Sequence, residues 1–522
     1  MSPVDTAWLR MEELANQMTI TAVLTFEAPL NRADLRRVVK KRLLPFERFR
    51  QRVRRGRLDD RPRWEPDPDF DLDRHLHAVR LPEPAGKAAL QERASALMSR
   101  PLPFAHPLWQ FHLVENYAGG AALIARLHHC IADGFALVRV LLSLTERTPS
   151  GAPPDGAPGN DLAGAFPGGE RGNAETEAPP SSLRQRVAAA LTGLGKKGAR
   201  GAELLARGVG VLGKLAWPAP EPDTSLRGEL GRQKNAAWSA PVPLADVKAA
   251  GRALGGTVND VLMAVLTGAL RRYLRERNEL PAGDRDLDLR AAVPVNLRPH
   301  AEGSSAQESS AMGNSFGLVF LALPVGRADP QARLAEVRRR MSRIKRSPEA
   351  AVLLGLLGLV GASGPAVEER IVSYLARKVT AVATNVPGPQ ETLHLAGAPM
   401  DTLMAWVPKA GRVGLGASII SYDGDVRLGL ATDAGLVPEP EAILAAFRRE
   451  LDALTSRASG ERAPGEETDA AAESDAEAHS GDAPAPAAEP SPDRCQATTQ
   501  AGTQCKLPAQ DGARFCHVHR EG

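Results

Sequence analysis

Two stretches of this chain cannot contribute to a core, and they decide how the rest is divided. Residues 459 to 493 contain no Val, Leu, Ile, Phe, Tyr or Trp and are crowded with Glu, Asp, Ala and Pro. Such a segment buries too little apolar surface to offset the entropy of ordering it, so it reads as disordered. Residues 149 to 182 are dense in Pro, Gly and small polar residues and read as a flexible linker. At 522 residues the chain is also too long for a single core. The division expected is an N-terminal lobe (1–148), the linker (149–182), a basic helical segment (183–223), a C-terminal lobe (224–457), an acidic linker (458–493) and a short tail (494–522).

Both lobes mix strand and helix signals. In the first, "MTITAVLTFE" alternates like a strand and "NRADLRRVVKKRLL" has helical spacing behind an Asn cap. "LWQFHLVENYAGGAALIARLHH" reads as a hairpin turning at Gly119-Gly120, and "FALVRVLLSL" follows as an apolar helix. In the second, "TVNDVLMAVLTGALRRYL" predicts a helix, while "LDLRAAVPV" and "SFGLVFLALPV" predict strands. A hairpin is expected around Asp423-Gly424, and "PEPEAILAAFRRELDAL" closes the lobe as a helix. The pattern is α/β.

Bulk properties exclude several functions. A net charge of +3 is too small to name nucleic acid as the partner, and aromatics at 4% weaken any base-stacking role. No run reaches the ~18 apolar residues needed to span a bilayer. "AVLLGLLGLVGASG", at 351 to 364, is short and glycine-rich and reads as a buried helix. Cys130 is the one cysteine outside the tail, so no disulfide framework is expected in the body. With an N-terminus that lacks an apolar signal region, this predicts a cytoplasmic protein.

The chemistry concentrates in "HHCIADG", residues 128 to 134, where a strand gives way to a helix and side chains project into a cleft. Only 11 histidines occur in the chain, and two stand here side by side. Adjacent residues on an extended segment face opposite ways, so Cys130 beside His129 reads as a small buried filler rather than a nucleophile.

The motif is HHxxxDG, and the chain resembles the bacterial wax ester synthase/diacylglycerol acyltransferase family, relatives of chloramphenicol acetyltransferase and peptide-synthetase condensation domains. Further matching segments, in order, are "SPVDTAWLRME" (2–12), "PLW" (107–109), "TVNDVLMAVLTGALRRYL", "VPVNLRP" (293–299), "GNSFG" (313–317), "TNVPGP" (384–389) and "SYDGDVRLGLATD" (421–433). "PLPFAH" before "PLW" departs from the family's usual Asp- and Arg-containing stretch. The resemblance implies two chloramphenicol-acetyltransferase-like lobes, with mixed sheets flanked by helices and an active-site tunnel between them. It implies transfer of a fatty acyl group from acyl-CoA to a long-chain alcohol or diacylglycerol, with no cofactor. A neutral imidazole suits the base, because its pKa lies near the operating pH.

Carried onto this sequence, the resemblance makes His129 the general base and His128 a supporting residue. Asp133 holds the turn by pairing with an arginine, for which Arg298 is the candidate, and Gly134 lets the backbone turn into the helix. Asn259 and Asp260 open the C-lobe helix; they either cap it or, Asn259 above all, approach the acyl path. Two rivals remain: a condensation-type transferase taking its acyl group from a carrier protein, and a non-catalytic lipid-droplet coat.

Residues 183 to 217 carry seven Lys or Arg among apolar residues, including Lys196, Lys197 and Arg200. They read either as a solvated face or as a peripheral contact with a membrane surface or lipid droplet. The tail spaces Cys495, Cys505, Cys516 and His519 as C-x9-C-x10-C-x2-H. Three thiolates and an imidazole suit tetrahedral zinc, and a piece this small needs such a staple to fold.

Overall fold

The alternating segment at the start of the chain becomes the strand Thr19–Phe26, buried along its whole length. A computed structural model describes residues 1–55, 62–147, 221–280, 287–296, 316–347 and 349–459. All of these belong to one unit, Met1–Arg462. The linker 149–182, the basic segment up to residue 220, Arg298 and the Cys/His tail lie outside the described residues.

The elements follow local chemistry. Asn31 caps Arg32–Arg42 by accepting from the Asp34 N–H at 2.9 Å. Thr257 caps Val258–Glu276 in a reciprocal box with Asp260. The two glycine-marked hairpins form, with one shift. The first turns at Ala118 (φ 48°) and Gly119 (φ 84°), not at Gly119-Gly120, because Tyr117 pairs with Gly120. Gly120 instead answers a close approach, since a Cβ there would meet the Phe26 carbonyl oxygen at 2.1 Å. Asp423-Gly424 turns as expected, with φ of 48° and 80°.

Two mixed sheets result. In spatial order the first holds His394–Leu395, Ala398–Trp406, Thr19–Phe26, Gly120–His128, Trp109–Tyr117 and Leu76–Val79. The second holds Phe316–Leu323, Leu289–Asn296, Ala381–Pro387, Leu415–Tyr422, Asp425–Asp433 and Lys234–Trp238, with Val242–Pro243 also on Asp425–Asp433. Thus Ala398–Trp406, late in the chain, crosses into the first sheet and pairs antiparallel with Thr19–Phe26. The reverse exchange occurs at the second sheet's edge. Ser99 and Ser95 of the first lobe accept hydrogen bonds from the Lys234 and Ala236 N–H groups at 2.9 and 2.8 Å, which blunts that edge.

The helices Leu244–Leu254, Val258–Glu276, Pro330–Lys345 and Pro440–Ser459 pack together over the second sheet. Glu349–Ala362, the glycine-rich apolar segment, packs instead against Phe316–Leu323 and against the N-terminal helix Pro3–Arg10. It therefore lies where the lobes meet. Among the described residues no single helix is long and apolar enough to cross a membrane.

Candidate active site

The fully buried strand Gly120–His128 delivers the two histidines at its end. The turn is pinned by backbone bonds: the His128 N–H donates to Leu108 O at 2.9 Å, and the His129 N–H to Met18 O at 2.7 Å. Asp133 ends the turn by capping Gly134–Leu142, its Oδ1 accepting from the Ala136 N–H at 2.8 Å. That carboxylate is 1% exposed. Its expected partner Arg298 lies outside the described residues.

Gly134 opens the helix without a left-handed backbone angle. Space explains the glycine better. A Cβ there would stand 3.2 Å from Val407 Cγ1, tight enough to move that wall.

The histidines face different surroundings. His128 is fully buried, and its Nδ1 accepts from the Cys130 N–H at 3.1 Å. The proton is thereby fixed on Nε2, which lies 2.8 Å from Glu12 Oε2. Arg126, 2% exposed and hydrogen-bonded to Gln110 at 3.1 Å, attracts the same Glu12. Burial lowers the Arg126 guanidinium to about 10, so it stays cationic at neutral pH. His129 instead packs against Trp8, with ring centroids 4.1 Å apart and the planes tilted by 31°, and lines a cavity. Cys130 is wholly buried, and burial pushes its thiol well above the ordinary range, leaving little thiolate to act as a nucleophile.

The cavity runs between the lobes. One side is built by Trp8, Ile20, His129 and Val138, the other by the helices Glu349–Ala362 and Pro365–Ala376 and by the strand Ala381–Pro387. Among the described residues lining it, His129 is the one titratable side chain. Thr384, on the strand that carries "TNVPGP", is the one hydroxyl; its Oγ1 lies 3.2 Å from Ser418 Oγ. Such a space suits an aliphatic chain with its reactive end at the imidazole.

Asp260, one of the two expected substrate contacts, is committed elsewhere. It accepts from the Thr257 N–H at 3.0 Å and its own N–H donates to Thr257 Oγ1 at 3.2 Å, so it closes the helix cap. Asn259 accepts from Asn385 Nδ2 at 3.1 Å, which ties the helix to the strand position beside Thr384. Neither Asn259 nor Asp260 lines the cavity. Sequence reasoning passed over Trp8, Glu12, Arg126 and Thr384. Trp8 sits on the helix Pro3–Arg10 and Glu12 lies just past its end, so the shared segment "SPVDTAWLRME" was the available signal.

Residues 1–262 match the family model of the wax ester synthase/diacylglycerol acyltransferase catalytic domain, and residues 312–455 match its C-terminal domain. The chain belongs to this family. A protein of Mycobacterium tuberculosis described as a probable diacylglycerol O-acyltransferase is 30% identical over 456 residues, covering 84% of this chain and 92% of the relative. The solved wax ester synthase/diacylglycerol acyltransferase of Marinobacter aquaeolei VT8 superposes with a TM-score of 0.61 at 21% identity, over 88% of this chain and all of the other. The first condensation domain of the calcium-dependent antibiotic synthetase superposes with a TM-score of 0.56 at 17% identity, over 89% and 96% of the two chains. These two likenesses establish the shared two-lobe fold. The wax ester synthase/diacylglycerol acyltransferase chain is an acyltransferase, as the motif led one to expect.

Proposed function

We propose that His129 is the general base for direct attack of an acceptor hydroxyl on an acyl-CoA thioester, the acceptor being a long-chain alcohol or diacylglycerol. The observation that carries this reading is His129 as the one titratable group, among the described residues, that lines an apolar cavity between two lobes. The hydroxyl proton passes to the imidazole as the C–O bond forms; the C–S bond then breaks, and the proton leaves with the CoA thiol. An apolar channel excludes water that would hydrolyse the thioester and holds both chains in line. Trp8 packs against the ring, while Glu12 faces His128 Nε2 at the turn. Arg298 as the partner of Asp133 belongs to the same proposal. So does a lipid-surface role for residues 183–217, and a zinc site at Cys495, Cys505, Cys516 and His519.

The test is release of CoA from palmitoyl-CoA with hexadecanol or dioleoylglycerol. Product with either acceptor, lost in His129→Ala, supports the proposal. No CoA release with either acceptor ends it.

A further inference from the structure

The helix Pro365–Ala376 turns Ile371, Val372, Leu375 and Ala376 into the cavity, so its other face is the outer wall of the site. That outer face is unusual for a soluble surface. Among the described residues, three large hydrophobic side chains stand exposed, and two of them, Val367 at 50% and Tyr374 at 37%, belong to this helix. The third, Leu14 at 59%, sits in the turn bridged by Glu13 and Asn16. Asn16 Nδ2 donates to Gly411 O at 3.0 Å, and a Cβ on Gly411 would meet Ala376 Cβ. The Leu14 turn thus reaches, through Gly411, the end of the helix that carries Tyr374, and Val367 stands seven residues before Tyr374, on the same side of the helix.

Cations gather on the same face. Arg370, Arg377 and Arg412 line a groove with Tyr374, and Lys378 Nζ lies 4.4 Å from the Tyr374 ring centroid. Among the described residues, Glu369 is the one carboxylate lining that groove. The groove shares Leu356, Ile371 and Leu375 with the apolar cavity, so the basic face and the interior are two sides of one wall.

We infer that the outer face of Pro365–Ala376, with the Leu14 and Arg412 turns, is the surface by which this protein docks on an anionic phospholipid bilayer. Arginine and lysine match lipid phosphates, and a partly exposed Tyr among them sits well at the headgroup level. The shared wall would let a lipid pass from the bilayer toward His129 without crossing water. The inference deepens the acyl-transfer reading and rests on lipid substrates.

The experiment uses the full chain and sedimentation with vesicles of phosphatidylcholine alone or mixed with equal phosphatidylglycerol. Wild type binds the mixed vesicles, more weakly as salt rises. Each basic residue near an anionic surface is worth roughly fivefold, so R370Q/R377Q/R412Q lowers binding about 100-fold. That variant keeps its melting temperature and its CoA release with a short, water-soluble acceptor. V367S/Y374S lowers the residual binding that survives high salt. Three results overturn the inference: no vesicle binding by wild type, unchanged binding by the triple variant, or a raised KM for acyl-CoA with soluble acceptor, which would assign the arginines to CoA phosphates. If vesicle binding follows the arginines while no acceptor releases CoA, the docking surface stands and the acyl-transfer reading falls.

Discussion

His128 and His129 are neighbours in sequence whose side chains meet different surroundings, and their substitutions separate accordingly. His129 stands on the cavity against Trp8, so His129→Ala is expected to cut turnover by roughly 100- to 10,000-fold, the usual contribution of a positioned base. Its melting temperature stays near wild type. Asp133→Ala removes the buried acceptor for the Ala136 N–H, and loss of such a cap costs about 1 kcal/mol. Asp133→Asn keeps an oxygen there and recovers most of the stability. A loss beyond about 3 kcal/mol in Asp133→Ala would show that a buried cation is left unpaired as well. Thermal melts beside single-turnover rates check all three variants; an inactive but fully stable Asp133→Ala would make the aspartate catalytic. The histidines, the aspartate and the glycine were legible because their chemistry is packed into seven consecutive residues. Trp8, Glu12, Arg126 and Thr384 were not, because only the folded sheet brings them to that turn.

At the scale of elements, periodicity found the strands and helices, whereas backbone crowding set details that no propensity contains. Gly120 illustrates this. Gly120→Ala drives a Cβ to 2.1 Å from the Phe26 carbonyl and should lower the yield of folded protein severely, whereas Gly86→Ala, with open space at the same position, is expected to be tolerated. Soluble yield and melting temperature distinguish the two. The clamp between Pro3–Arg10 and Pro365–Ala376 gives a pH signature. Arg10 Nη1 lies 3.5 Å from Glu368 Oε2, and burial raises the Glu368 carboxyl to about 7 in spite of that arginine. An unfolded Glu titrates near ~4.3, so the native state holds the extra proton between the two values. Glu368 therefore supports the fold most below ~4.3, and that support is lost as pH rises through about 7. Relative to Glu368→Gln, wild type is expected to lose melting temperature as pH rises from ~4.3 to about 7, the interval between those values; a constant difference across that range would refute the assignment.

For the whole molecule, the sequence showed the α/β composition and the punctuation of the chain, but not which strand lies beside which. Strand pairing depends on partners hundreds of residues apart, and nothing in "APMDTLMAW" names Thr19–Phe26 as its neighbour. The tail is a prediction at this scale, drawn from Cys/His spacing in residues outside the described structure. Deleting residues 459–522 should leave most acyltransferase activity. It should also remove about one bound zinc per chain, measured by elemental analysis of metal-loaded protein. Loss of activity with the body still folded would give the tail a catalytic part.

Thr21 pairs with Trp406, and the whole ladder from Thr21 to Phe26 depends on residues 400 to 406. During synthesis at about 5 to 20 residues per second, that partner follows some 20 to 80 s after the first strand emerges. For that interval the strand Thr19–Phe26, with Ile20, Ala22, Leu24 and Phe26 along one face, has one edge open to any other chain. Nascent chains on neighbouring ribosomes carry the same open edge, so crowding on one message is the moment of greatest risk for this protein. The interval closes only when the last quarter of the molecule arrives, and a ribosome that stops short of it leaves a fragment with an unfinished sheet rather than a smaller enzyme.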